Sequence, residues 1–219
     1  MGEKKVIGRM NILQFSGLLL LLVLLPMGSW FYLRSGLDYR AQAFKELQDI
    51  AALPDFELEN YNDSTIRMAR FEDQLVVGHF FNDPNKEQYA QQLSKLYEQF
   101  DDRQDIYFLS FQTGQSAAQQ AEAAQFLLNH ELEDEDQVFF LSGSAEETEQ
   151  LSQDIELPLS ERGMELSDNS LLFFADSAMV RGFYDMREAA AMKRLIKHLT
   201  LNLHPTEEAD IIYDPETEK

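Results

Sequence analysis

Between Met10 and Leu33 the sequence carries no charged residue, and most of that run is Leu, Val, Ile, Phe or Met. A stretch of about 20 apolar residues can cross a bilayer only as a helix, because lipid offers no partner for unpaired backbone groups. Trp30, Phe31 and Tyr32 stand where an interfacial aromatic belt would lie, and Arg34 follows them. Lys4, Lys5 and Arg9 precede the run and favour an inside N-terminus. A cleaved signal peptide ending near Gly28-Ser29 would share the basic start and the small residues. The apolar run continues past that point, and no Ala-x-Ala stands there. The expectation is a retained single-pass anchor: residues 1–9 cytoplasmic, 10–34 transmembrane. The rest then lies in the periplasm, on the outer side of an inner (cytoplasmic) membrane.

Charge divides the chain the same way. Residues 1–34 hold Lys4, Lys5, Arg9 and Arg34 against Glu3, a net +3, so the remainder carries −24 of the total −21. Such a surface repels nucleic acid and anionic headgroups and suits a basic partner, or simply keeps a domain soluble. Behind the anchor, residues 35–52 read as a stalk, residues 53–204 as one domain with a core, and residues 205–219 as an acidic tail. The chain has no cysteine, which excludes disulfides, thiolate catalysis and thiolate metal sites.

Within the domain, Glu57–Asn60 and Ser64–Met68 read as a β-hairpin around a polar turn. Leu75–Phe81 is a short apolar run, predicted as a buried strand. Residues 84–100 place Tyr89, Leu93, Leu96 and Phe100 at helical spacing. Asp105–Phe111 predicts the next strand, 115–129 a helix, Val138–Leu141 a third strand and 145–154 a short acidic helix. Leu171–Ala175 and Met179–Tyr184 predict a closing hairpin around Asp176-Ser177-Ala178, and Ala189–Leu203 a final helix. Strand–helix alternation implies an α/β sheet with parallel pairs and helices on its faces. Ending on a β-hairpin and a helix is the layout of a thioredoxin-like domain.

In such a sheet, chemistry gathers at the carboxyl end of a central strand. Here that position is Phe81-Asn82-Asp83-Pro84-Asn85-Lys86-Glu87. Asp83 can cap the following helix and Pro84 suits its first position.

Several blocks in order resemble the Sco/SenC family of membrane-anchored thioredoxin-like proteins. They are Leu53-Pro54-Asp55-Phe56-Glu57-Leu58, the strand Leu75–Phe81 with its turn, and Phe140-Leu141-Ser142-Gly143. Leu172–Asp176 followed by Val180-Arg181-Gly182-Phe183-Tyr184-Asp185 is the most specific, and Lys193-Arg194-Leu195-Ile196 comes after it. The opening block is shared with peroxiredoxin-like relatives. The resemblance implies a thioredoxin-like (Sco/peroxiredoxin-type) α/β domain behind a single N-terminal transmembrane helix. It also implies a part in assembling cytochrome oxidase, as a copper chaperone or thiol reductant. The family's copper site is two cysteines after the central strand plus a distant histidine, soft and borderline donors suited to copper. By the same alignment, this chain has Asp83 and Glu87 at the cysteine positions and Asp168 near the histidine position.

Those three carboxylates would make a hard-oxygen set preferring calcium, magnesium or manganese. The simpler expectation is no metal: Asp83 as a helix cap, Glu87 complementing the helix dipole, Asp168 in a loop. His79 alternates within its strand and reads as structural. His130, His198 and His204 fall on predicted helix ends or surfaces, with His198 near a helix C-terminus where the dipole favours it. There is no Gly-x-Ser-x-Gly motif, no glycine-rich phosphate loop and no His pair at metal spacing. The reading is therefore of a non-enzyme without cofactor, a redox-inactive binding or assembly factor with a pseudo-active site. The alternatives are a structural subunit of a membrane complex, or a metal carrier using Asp83, Glu87 and Asp168.

Overall fold

A computed structural model describes residues 12–81, 86–113, 116–132, 136–175 and 179–203. The chain divides into two compact units, residues 1–46 and 47–219. In the first unit, α1 (Ile12–Glu46) is one continuous helix that contains Pro26. Among the described residues it is the one helix long and apolar enough to cross a membrane. Leu20–Leu25, Trp30, Phe31, Tyr32 and Leu33 are all exposed on it. A helix apolar on every side belongs in lipid or a protein core, since leaving such side chains in water costs about 1.5–3 kcal/mol each. The helix runs on through Gly36, so most of the segment expected as a stalk is helical.

The second unit is built on an eight-stranded sheet. Its strands are β1 (Ala51–Ala52), β2 (Glu57–Asn60), β3 (Thr65–Arg67), β4 (Leu75–Phe80), β5 (Ile106–Thr113), β6 (Val138–Gly143), β7 (Ser170–Ala175) and β8 (Met179–Asp185). Their order is β1-β8-β7-β4-β5-β6-β2-β3. The central pairs β4–β5 and β5–β6 are parallel, and every other pair is antiparallel. The expected α/β class with parallel pairs is the one found. The last residues of the expected stalk belong to this unit. The amides of Gln48 and Ile50 donate to the carbonyls of Arg181 and Val180 at 3.4 and 2.8 Å, and β1 then covers the free edge of β8.

Helices α2 (Lys86–Phe100), α3 (Ala117–Asn129) and α5 (Ala189–Asn202) bury Leu93, Leu96, Phe126, Leu127, Leu195 and Leu199 with Val77, Phe108, Phe140 and Phe173 of the sheet. Helix α4 (Ala145–Glu161) contributes Leu151, Ile155 and Leu159 to a second core with Val76, Leu109, Phe139, Leu172 and Phe174. Successive strand residues alternate between the two cores, which is the two-residue period of a strand buried on both faces.

Two helices following parallel strands begin with a capping box: Ser116 with Gln119 on α3, and Ser144 with Glu147 on α4. Each pair satisfies two orphan amides of the first turn. Helix α4 is longer than the expected 145–154 and passes through Pro158. Its stop signal is Gly163, at φ +72°, with the amides of Gly163 and Met164 donating to the carbonyls of Ser160 and Leu159. That is a Schellman ending, in which glycine takes the left-handed conformation at little cost. Leu151, Ile155 and Leu159 fall on one buried face across the proline. Their burial outweighs the one backbone donor that Pro158 lacks.

Candidate functional site

Strand β4 lies in the middle of the sheet, between β7 and β5, and its carboxyl end is where the sequence places the site. Asp83, Pro84 and the rest of 82–85 lie outside the described residues. The Phe81 amide donates to the Phe111 carbonyl at 2.8 Å, so the ladder continues one residue past β4. The Phe81 ring meets Phe126 and Phe140 at centroid distances of 5.2 Å and Tyr89 at 6.0 Å, all edge-on. Aromatic packing therefore surrounds Phe81 at the end of the strand.

His79 points to the same face. It is 1% exposed, and its ring stacks on Tyr89 at 4.2 Å. Its Nδ1 lies 2.9 Å from the Ser170 carbonyl of β7. A carbonyl only accepts, so this bond assigns the proton to Nδ1 of a neutral imidazole. Burial pushes the His79 pKa down to about 4, with the Ser170 carbonyl and the Asp168 carboxylate opposing the shift. Tyr89 shares a 2.6 Å hydrogen bond with the Ser110 hydroxyl, and burial drives its phenol above the usual range. His79 and Ser110 are directly opposite each other on β4 and β5. The parallel register thus brings an imidazole, a phenol and a hydroxyl into one buried cluster. The expectation that His79 is structural fits this geometry.

The cluster has little to offer as chemistry. A general base needs a pKa near working pH and a free lone pair facing a reactant. His79 is buried, and its pKa, lowered to about 4, lies well below working pH. Tyr89 is held protonated. Copper(I) asks for thiolate, thioether or imidazole donors, and the chain holds no thiol. Without cysteine, the thiolate pair of the Sco-type copper site is absent from this chain. Of the three candidate carboxylates, Glu87 sits exposed in the first turn of α2 and Asp168 exposed in the loop before β7. Asp168 is close enough to act on His79 electrostatically. Among the described residues, no group of three His, Cys, Asp or Glu side chains is placed to hold a metal.

His198 differs from its expected surface position. It is 3% exposed, and its Nδ1 lies 2.5 Å from the Tyr184 hydroxyl. The helix buries this face against β8, so the side chain is held by a core hydrogen bond rather than by the helix dipole. His130 closes α3 and packs at 4.8 Å on Phe126, and His204 lies outside the described residues. The block Val180–Asp185, the most specific in the sequence, has a packing role. A methyl on Gly182 would meet the Tyr184 ring at 2.6 Å, so the glycine makes room for the ring that reaches His198. Arg181 pairs with Asp49 at 3.0 Å, and Arg187 with Asp185 at 2.6 Å.

Several concavities lie on the surface of the second unit among the described residues, one of about 410 Å³ beside Arg70, Arg103 and Tyr107. A cleft of about 420 Å³ runs between residues 54–58 and the start of α4. Its floor is Phe56, Leu58 and Leu151, and Asp55, Glu57, Glu146, Glu147 and Asp154 rim it. Arg67 pairs with Glu57 at 2.9 Å and holds that carboxyl below its ordinary range. A smaller groove of about 260 Å³ lies between α2 and α5.

No protein-family model matches the sequence, and no curated protein is similar to it. The fold is similar to solved structures. A Sco1/SenC-family lipoprotein from Bacillus anthracis is 17% identical, with a TM-score of 0.57 over 72% of this chain and 98% of that one. BsSco, a member of the Sco family of cytochrome c oxidase assembly proteins, is 14% identical, with a TM-score of 0.53 over 69% and 94%. The thioredoxin domain of a thiol-disulfide oxidoreductase from Bacteroides vulgatus is 8% identical, with a TM-score of 0.50 over 70% and 98%. The domain behind α1 therefore has the thioredoxin-like fold.

Proposed function

We propose that this chain is a thiol-free counterpart of the Sco proteins, held at a membrane by α1, which acts by binding a protein partner. The observation that carries the reading is the end of β4. A thioredoxin-like sheet there presents a buried neutral imidazole and packed aromatic rings, in a chain without cysteine. Redox exchange needs a thiolate, so a domain of this composition works through its surface or its tether. The process we assign is assembly of a respiratory cytochrome oxidase, by analogy with the described family of BsSco. The basic residues before the apolar run favour a domain on the periplasmic side of the inner membrane. The acidic cleft with its apolar floor favours a basic protein segment as partner.

Deleting the gene and recording oxidase haem spectra of the membranes tests the reading. Reduced oxidase with a substoichiometric partner in detergent-purified full chain supports it. Normal oxidase and unaltered membrane complexes reject it. A stable stoichiometric partner would instead identify a structural subunit. Calorimetry with calcium, manganese and copper(I) addresses the carrier alternative. The expected result is no heat, and a calcium or manganese signal lost in Asp168→Asn would assign an oxygen site to Asp83, Glu87 and Asp168.

A further inference from the structure

The groove between α2 and α5 stands out by its charge. Residues 47–203 hold 30 acidic and 11 basic side chains. Yet Lys95, Arg187 and Lys193 line this groove together without a lining carboxylate, Arg187 being paired with Asp185 behind it. Lys95 and Lys193 have no ion-pair partner among the described residues. Beneath them lie Leu96, Met192 and Ile196, an apolar floor with an adaptable methionine. A concave apolar floor with a cationic rim suits a short apolar segment flanked by acids.

The chain carries such a segment. After α5 the sequence reads Glu207-Glu208-Ala209-Asp210-Ile211-Ile212-Tyr213-Asp214-Pro215-Glu216. Three large apolar residues sit between acids on both sides. We propose that residues 205–219 dock in the α2–α5 groove of their own chain, with Ile211-Ile212-Tyr213 on the floor and the flanking carboxylates on Lys95 and Lys193.

The reach is sufficient. Ile196 lies six residues before the end of α5, about 9 Å back along its axis at 1.5 Å per residue. The eight residues from Leu203 to Ile211 can span up to about 26 Å. A tether this short holds the segment at roughly millimolar effective concentration, enough for a weak contact to persist. The net negative charge of residues 47–203 makes a cationic groove a favourable seat for an acidic segment. The contact does not depend on which partner the domain serves.

The absence of native cysteine gives a clean test. Ile212→Cys is paired with Gln92→Cys in the groove, or with Asp154→Cys on α4 as control, in the full chain at low concentration in detergent. Intramolecular disulfide formation is followed by non-reducing gel and mass. The expected result is closure at least tenfold faster with Gln92→Cys than with Asp154→Cys. Lys95→Glu with Lys193→Glu should slow it about tenfold. Equal closure with both partners, or indifference to the charge reversal, overturns the proposal. A disulfide-linked dimer as the main product also overturns it, because the occupant would then be a second copy. Should a cysteine pair fail to fold, a labelled peptide of residues 205–219 provides the second measurement. It must bind a chain ending at Leu203 at least tenfold more tightly than the full chain, where the groove is already filled, and equal binding rejects the proposal.

Discussion

At the residue scale, His79 and Gly78 show how the centre of this sheet is occupied. Gly78 faces the α4 side, where a methyl would lie 2.6 Å from the Phe174 ring and 3.4 Å from Phe111. Phe174 is fully buried and has nowhere to move. Gly78→Ala should therefore cost about 1–3 kcal/mol in urea denaturation, and Phe174→Leu in the same chain should recover part of it. His79 faces the other side and folds as a neutral imidazole with its pKa near 4. Its unfolded value is about 6.5, so the unfolded chain binds more protons between these values. The stability tied to His79 is complete above about pH 6.5 and is lost as pH falls toward 4, on the order of 3 kcal/mol in all. His79→Gln removes that titration while keeping a donor for the Ser170 carbonyl. Urea midpoints at pH 7.5 and 4.5 should fall further apart for the parent than for the variant, and parallel behaviour would contradict a buried neutral His79.

At the element scale, α4 runs past its expected end at residue 154. A helix ending near residue 154 would leave Leu159 in a loop. The observed helix continues to Glu161 and buries Leu159 fully against the sheet. Leu159→Ala should then cost about 2–5 kcal/mol, the range for a leucine truncated in a packed core. A change below 1 kcal/mol by thermal or urea unfolding would place Leu159 outside the core. The sequence did hold the relevant signal, in Gly163 rather than Pro158. The short strand β1 is the opposite case. Ala51-Ala52 has no strand pattern of its own. It is extended because β8 presents unpaired backbone groups, and a sheet edge recruits whatever chain lies beside it.

At the scale of the whole molecule, two units of different chemistry share one chain. Helix α1 carries no charge from Ile12 to Leu33, whereas residues 47–203 bury their apolar side chains in two cores on either side of the sheet. The full chain should sediment with membranes and resist alkaline carbonate extraction. A version beginning at Leu47 should be soluble, with a cooperative unfolding transition. Full-length mass in the membrane fraction would establish a retained anchor, and loss of about the first 28 residues would establish a cleaved signal.

The sequence by itself determined the apolar span, the alternation of strands and helices and the lack of any thiol, because each is a local pattern or a count. Tyr89, Leu93, Leu96 and Phe100 announce their helix by spacing alone, and Val180–Asp185 announces its strand. The tertiary structure decided what those residues touch. Tyr89 meets His79 and Ser110 only through the parallel register of β4 and β5, and His198 finds Tyr184 only because α5 packs on β8. Such contacts join residues far apart in the chain. A local pattern sets which face of an element is apolar, but a buried polar group takes its partner from whichever neighbour the fold brings within hydrogen-bonding distance.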